Sequence, residues 1–236
     1  DTVITQDVTL KAYNGTKLES RNIIASWNPE SKNRIMLCAH WDTRPFCDED
    51  PKAENHKKPV LGANDGASGV GVLLELARQF SIKEPNVAVD IILFDSEDYG
   101  HNDYHNSYCL GSQHWALNPH VPRYNARFGI LLDMVGGKGA RFAKDLISSF
   151  YANDVLEDVW KTAETLGYSS LFVNEEGGSI IDDHYYVNKR IGIPCIDILD
   201  YKPPSVVGYV KGTTGSKTIA LRADIDALPI AEEGDK

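Results

Sequence analysis

Apolar and polar positions alternate along this chain in a way that predicts strands and helices in turn. Residues 3–10 alternate loosely and read as a strand, and residues 21–27, RNIIASW, read as another. Residues 34–39 form a short, nearly unbroken apolar run, the pattern of a strand buried on both faces. From Gly66 to Phe80 the period changes to that of a helix. Val70, Leu73, Leu74, Ala77 and Phe80 share one face, and Ala67, Ser68, Gly69 and Gly71 crowd the first turns. Residues 87–94, VAVDIILF, are the most strand-like run, followed by a polar loop over 99–107 and a short helix near 113–117. Residues 128–135 predict another buried strand, and 145–166 two helical patterns, the second stopped at Gly167. Residues 170–173 and 193–199 complete the strands. Strands alternating with helices imply an α/β layered fold with a parallel or mixed sheet.

The same pattern places acids at the ends of apolar runs. RIMLCA leads into His40-Trp41-Asp42, VAVDIILF into Asp95-Ser96-Glu97-Asp98, FGILL into Asp133, and the Ile-Ile at 180 into Asp182-Asp183-His184. Asp65 stands just before the first helix. In α/β folds, sites gather beyond the carboxyl ends of strands, so these acids predict one shared cleft. Taken singly, each has a plainer reading. Asp65 reads equally as a helix N-cap or a metal ligand. Glu97-Asp98 reads as an exposed turn, or as two carboxylates dividing cation binding from proton transfer. His40-x-Asp42 reads as a histidine orienting its own loop, and Asp182-Asp183 as acids favoured at a helix N-terminus. Together they offer oxygen and nitrogen ligands suited to zinc. His101 and His105 have the spacing of a helical metal pair, but their polar surroundings predict a loop.

Composition narrows the partners. The 236 residues suffice for one domain with a sizeable core, at 42% hydrophobic and 25% charged residues. A net charge of -10 argues against nucleic acid or an anionic membrane as partner, and no apolar run is long enough to span a membrane. The four cysteines, Cys38, Cys47, Cys109 and Cys195, have no C-x-x-C spacing. Cys38 and Cys195 read as core residues, and a Cys47–Cys109 disulfide is open. The chain starts at Asp1, which reads as a processed or recombinant start with any signal peptide already removed.

Six blocks in order, CAHWDTRP, LGANDGASGVGVLLELAR, ILFDSEDYG, CLGSQHWA, ILLDMVGG and DDHYYV, resemble the bacterial glutaminyl cyclases, which group with the zinc aminopeptidases. The resemblance spans roughly residues 3–203. It implies a three-layer α/β/α sandwich with a central mixed sheet, of the zinc-exopeptidase kind, and one catalytic zinc. The reaction it implies converts the N-terminal glutamine of a peptide or protein substrate to pyroglutamate with loss of ammonia. By block-to-block match, Asp65 and Asp98 would be zinc ligands and Glu97 the general acid/base. Asp133 and Asp183 would hold the substrate amine, and His40, Asp42 and His184 would line the site. A cis peptide bond after Asp65 and a periplasmic or secreted location go with the same resemblance. The rival reading within the clan is a two-metal aminopeptidase, in which His40, Asp65 and Asp133 hold one metal. A third reading is a degenerate domain that binds peptide N-termini without turnover.

Residues 1–205 therefore read as the catalytic domain, and 206–236 as a foreign-looking tail. The resemblance would continue past Cys195-Ile196-Asp197 to a Trp-His-Thr segment whose histidine is the third zinc ligand, and no histidine occurs after His184. The segment LRADIDALP instead resembles hippurate-hydrolase-type amidohydrolases. Residues 218–229 also align without gaps on 34–45, setting Ala223-Asp224-x-Asp226 against Ala39-His40-x-Asp42. An impaired zinc site is the expectation that follows.

Overall fold

The computed structural model describes residues 2–200 and the backbone of 206–210 and 219–223. Its strands are β1 (Thr2–Lys11), β2 (Lys17–Trp27), β3 (Arg34–His40), β4 (Ala88–Phe94), β5 (Gly129–Asp133), β6 (Phe142–Lys144), β7 (Phe172–Glu176), β8 (Cys195–Leu199), β9 (Val206–Val210) and β10 (Ile219–Ala223). Its helices are α1 (Ala67–Ile82), α2 (Leu110–Leu117), α3 (Leu146–Thr165) and α4 (Asp183–Tyr186), the last running into a π-type turn over Val187–Ile191. Six strands form the central sheet in the order β1-β2-β4-β3-β5-β8. β1, β2 and β4 pair antiparallel, whereas β4, β3, β5 and β8 run parallel. The sheet is therefore mixed, with its parallel half built from α-helical crossovers.

Strand alternation sorts the core into two layers. Leu37, Ala39, Val89 and Ile91 pack with Leu73 of α1, and Ile196 and Ile198 pack with Leu156 and Trp160 of α3. The intervening residues Met36, Cys38, Ile92, Phe94, Leu131 and Cys195 point to the opposite face, where Trp115 of α2 and Val187 cover them. Helices on both faces make the α/β/α sandwich, and burial on both faces explains why β3 and β4 read as continuous apolar runs. The edge strand β8 is sealed by side chains. Asn188 accepts from the Cys195 N–H at 3.0 Å and donates to the Cys195 carbonyl at 2.7 Å, and the Ser148 hydroxyl accepts from the Asp197 N–H at 2.9 Å. These contacts satisfy an edge that would otherwise template a further strand.

The two helical patterns over 145–166 are borne out: α3 is two helical segments joined at a kink at Ala152, where φ is -142°. Other elements differ from their sequence expectation. α2 begins at Leu110 rather than near 113, because Cys109 takes a left-handed conformation and the Cys109 and Leu110 N–H groups donate back to the turn after β4. β7 lies at 172–176 rather than 170–173, and the Ile-Ile at 180 belongs to an irregular lead into α4. β10 carries part of the segment that repeats β3. The remainder of that repeat and most of the 206–236 tail lie outside the described residues. Among the described residues no helix is long and apolar enough to cross a membrane.

Candidate active site

Because β4, β3 and β5 are parallel neighbours, their carboxyl ends meet at one edge of the sheet. His40 ends β3, Asp133 ends β5, and Glu97-Asp98 follow the turn after β4. His40 is 1% exposed and lies at the centre. Its Nε2 is 2.9 Å from Asp65 Oδ1 and 3.1 Å from Asp133 Oδ1, and its Nδ1 is 3.5 Å from Asp42 and 3.9 Å from Glu97. Asp42 holds the acidic turn itself: its two carboxylate oxygens accept from the consecutive N–H groups of Glu97 and Asp98, at 3.0 and 3.1 Å.

Asp65 is delivered by the turn into α1. The N-cap position falls on Gly66 without a side-chain cap, so the side chain of Asp65 is not used as a cap and turns to His40 instead. The peptide bond after Asp65 is trans, contrary to the resemblance, for no cis bond occurs among the described residues. Gly66 makes the turn by taking φ +78°. A Cβ at Gly66 would stand 2.5 Å from the Asp42 carbonyl oxygen, so only glycine lets α1 start against the β3 loop.

These side chains open on a cavity of about 850 Å³, walled by Asp65, Glu97, Asp98, Asp133 and Asp182 with Arg44 among them. His101 and His105 belong to the loop on the same wall, not to a helix. His40 and Asp42 stand behind the wall. So does Asp183, fully buried beside the Ser112 hydroxyl. His184 does not join them. It is completely buried, with Nε2 3.1 Å from Asp145 and Nδ1 4.0 Å from Asp197. Three wall or near-wall residues were not assigned from the sequence. Arg44 donates to the Asp98 carbonyl at 3.2 Å and to its carboxylate at 3.4 Å. Asp182 lines the cavity in front of Asp183. Cys109 donates its thiol to Glu97 at 3.4 Å, while Cys47 donates to the Pro59 carbonyl, so these two cysteines form no disulfide.

Crowded acids shift one another. Burial pushes Glu97 well above the usual carboxylate range; His40 pulls it back, and Asp98, Asp182 and Asp183 push it further. Burial and then the Asp65 charge raise Asp98, against His40 and Arg44. Burial and Asp65 likewise carry Asp133 to about 7, opposed by His40. Burial alone would lower His40, but its hydrogen bonds to Asp133, Asp42 and Asp65 outweigh this and hold it well above its ordinary value. Such a concentration of carboxylates with one imidazole offers ligands of the kind a cation takes. Two observations fit a zinc ion. His40, Asp65 and Asp133 offer ligand atoms mutually within 4.8 Å, and Asp98 has a buried carboxylate oxygen with no partner.

A family model described as Peptidase family M28 matches residues 22–230, running past Ser205. Among solved structures, the Porphyromonas gingivalis glutaminyl cyclase is 51% identical with a TM-score of 0.82, covering 84% of this chain and 69% of that one. A Zn-dependent exopeptidase from Parabacteroides distasonis is 53% identical with a TM-score of 0.84, covering 86% of this chain and 72% of that one. The glutaminyl-peptide cyclotransferase of Bos taurus is 28% identical over 78% of this chain. The chain spans 57% of the length of that curated relative.

Proposed function

This chain belongs to peptidase family M28, and within that family we propose that it is a zinc-dependent glutaminyl cyclase, converting the N-terminal glutamine of a peptide to pyroglutamate and ammonia. One observation carries the reading. Asp42 clamps the adjacent amides of Glu97 and Asp98, and both carboxylates enter the cavity that Asp65 and Asp133 also line. The similarity to a solved bacterial glutaminyl cyclase supports it.

Asp65 and Asp98 would hold the zinc, since both reach the cavity and the charge of Asp65 acts directly on Asp98. When bound there, the ion supplies Lewis-acid polarisation of the glutamine side-chain carbonyl. Glu97, on the cavity wall beside Asp98, takes a proton from the substrate α-amine. The amine nitrogen then attacks the side-chain amide carbon. As the new C–N bond closes the ring, the amide C–N bond breaks, and Glu97 returns its proton to the departing ammonia. Asp133 and Asp182, both on the cavity wall, hold the amine in position, with Asp183 adding negative charge from behind. A periplasmic or secreted location belongs to the same reading.

The grouping of His40 with Asp65 and Asp133 favours a second reading, a two-metal aminopeptidase. One experiment separates the two. A Gln-initiated peptide is incubated with the zinc-loaded chain, and with the chain extended by a family-type carboxyl end, while ammonia, pyroglutamyl product and free amino acids are measured alongside zinc content. Ammonia release with one zinc per chain supports cyclisation. Free amino acids with two zincs overturn it in favour of the aminopeptidase. No product from either protein assigns the degenerate, peptide-binding reading.

A further inference from the structure

Beside the proposed catalytic site lies a second group of ligand-type side chains. Glu97, Cys109 and Asp182 each offer an atom, and these atoms lie mutually within 4.8 Å. Cys109 and Asp182 are buried, and the Glu97 side chain is only 13% exposed. Cys109 is fixed at the start of α2 in a left-handed conformation, φ 59° and ψ 35°. Its backbone N–H donates to the Glu97 carbonyl at 2.7 Å, and its Sγ lies 3.4 Å from Glu97 Oε1. A tetrahedral zinc with about 2.3 Å to sulfur and about 2.0 Å to oxygen has an S···O edge of about 3.5 Å. The thiol and the carboxylate therefore already stand at that edge.

We propose that Glu97, Cys109 and Asp182 form a second, thiolate-containing site for a soft divalent cation such as zinc or cadmium, distinct from the site at Asp65 and Asp98. Binding replaces the thiol proton, which leaves to solvent, with a metal–sulfur bond, and Glu97 and Asp182 each contribute an oxygen. A separate observation points to a cation here. Asp183 follows Asp182 and is fully buried, and only the Ser112 hydroxyl and the more distant His40 charge favour its ionised form. Its charge acts on both Glu97 and Cys109, and a cation among the three would offset it. The thiolate selects soft or borderline ions over magnesium or calcium, which prefer all-oxygen sites. If the cyclase reading holds, an ion here occupies the proton-transfer residue, so excess zinc inhibits turnover.

The test is spectroscopic and needs no turnover, so it stands or falls apart from the cyclase reading. The full chain, reduced and loaded with one equivalent of zinc, is titrated with cadmium(II) while the thiolate-to-cadmium charge-transfer band is followed. A saturable band is expected in the wild-type chain. It should persist in Cys47→Ser and in the Asp65→Asn/Asp98→Asn double variant, vanish in Cys109→Ser, and need about tenfold more cadmium in Asp182→Asn. No band, or an unchanged band in Cys109→Ser, overturns the proposal. Should Cys109→Ser fail to fold, Asp182→Asn decides with the thiol intact: an unchanged cadmium affinity overturns the site, and a weakened one supports it.

Discussion

The Asp42 carboxylate accepts a hydrogen bond from the backbone N–H of Glu97 at 3.0 Å, so a residue on the loop after β3 fixes the acid at the end of β4. The companion oxygen takes the next N–H, that of Asp98, at 3.1 Å. One charged side chain thus sets the direction of both residues assigned to proton transfer and metal binding. Hydrogen bonds to a charged acceptor contribute about 1.5–3 kcal/mol. In Asp42→Asn one oxygen remains, and the new NH2 group opposes the second N–H. We expect Asp42→Asn to fold and to lose about tenfold in kcat, or about 1.4 kcal/mol of activation free energy, with KM little changed. Steady-state kinetics beside a thermal melt check this; a fall in Tm with kcat intact would make Asp42 a purely structural residue.

Glu97→Gln is nearly isosteric but accepts no proton at the carboxylate. A general acid/base contributes about 10²–10⁴-fold, so turnover of a Gln-initiated peptide is expected to fall by about that factor while the first equivalent of zinc, held at Asp65 and Asp98, stays bound. Its loss together with activity would instead place Glu97 among the ligands of that site.

Two glycines of α1 predict opposite responses. A Cβ at Gly69 would stand 2.1 Å from the Leu132 carbonyl oxygen and 3.0 Å from Ala39, because α1 lies tightly on β3 and β5. Gly71 is exposed, and a Cβ there would meet nothing within 4 Å. Gly69→Ala must push the helix off the sheet at a cost of about 3 kcal/mol or more. Gly71→Ala gains helix propensity, about 0.4–1 kcal/mol. For a chain of this size that gain raises Tm by about 1–4 °C. Calorimetry on the pair checks both signs.

How far the sequence reveals this architecture depends on how each residue is held. β3, β4 and β5 were legible because burial on both faces leaves an unbroken apolar run, and the acids at their ends were legible because parallel pairing brings those ends together. β6 has three residues, too few to show alternation. The segment from Asp183 to Ile191 carries no helical apolar stripe. It is held by tertiary contacts such as Asn188 with Cys195. Arg44 and Cys109 reach the site through loop paths that no period encodes. His184 was drawn to the cleft by its neighbours in DDH, yet it points to Asp145. Asp182 caps α4, and each following residue turns about 100° around the helix axis, which carries the histidine away from the cavity.

That buried arrangement makes stability depend on pH in two directions. Burial would raise Asp145, but the His184 hydrogen bond at 3.1 Å and the His184 charge outweigh it, and the carboxyl sits below its usual range. In the unfolded chain Asp145 titrates near about 3.9. Its contribution is thus fully present above that value and lost as pH falls through the lower folded value. Asp197 behaves oppositely. Burial, then the charges of Asp182, Asp133 and Asp145, hold it well above the usual range, and neither of its oxygens has a hydrogen-bond partner. Its contribution is present below about 3.9 and is lost as pH rises towards the raised folded value. Asp197→Asn removes the need to bury a charge, so its Tm should exceed the wild type above neutral pH and converge with it in acid. Asp145→Asn should melt below the wild type at neutral pH, with the gap closing in acid. Thermal melts of the three proteins across pH read both effects. An Asp197→Asn Tm that tracks the wild type at every pH would mean that Asp197 is already offset in the folded chain, with His184, whose Nδ1 lies 4.0 Å away, the imidazole placed to do so.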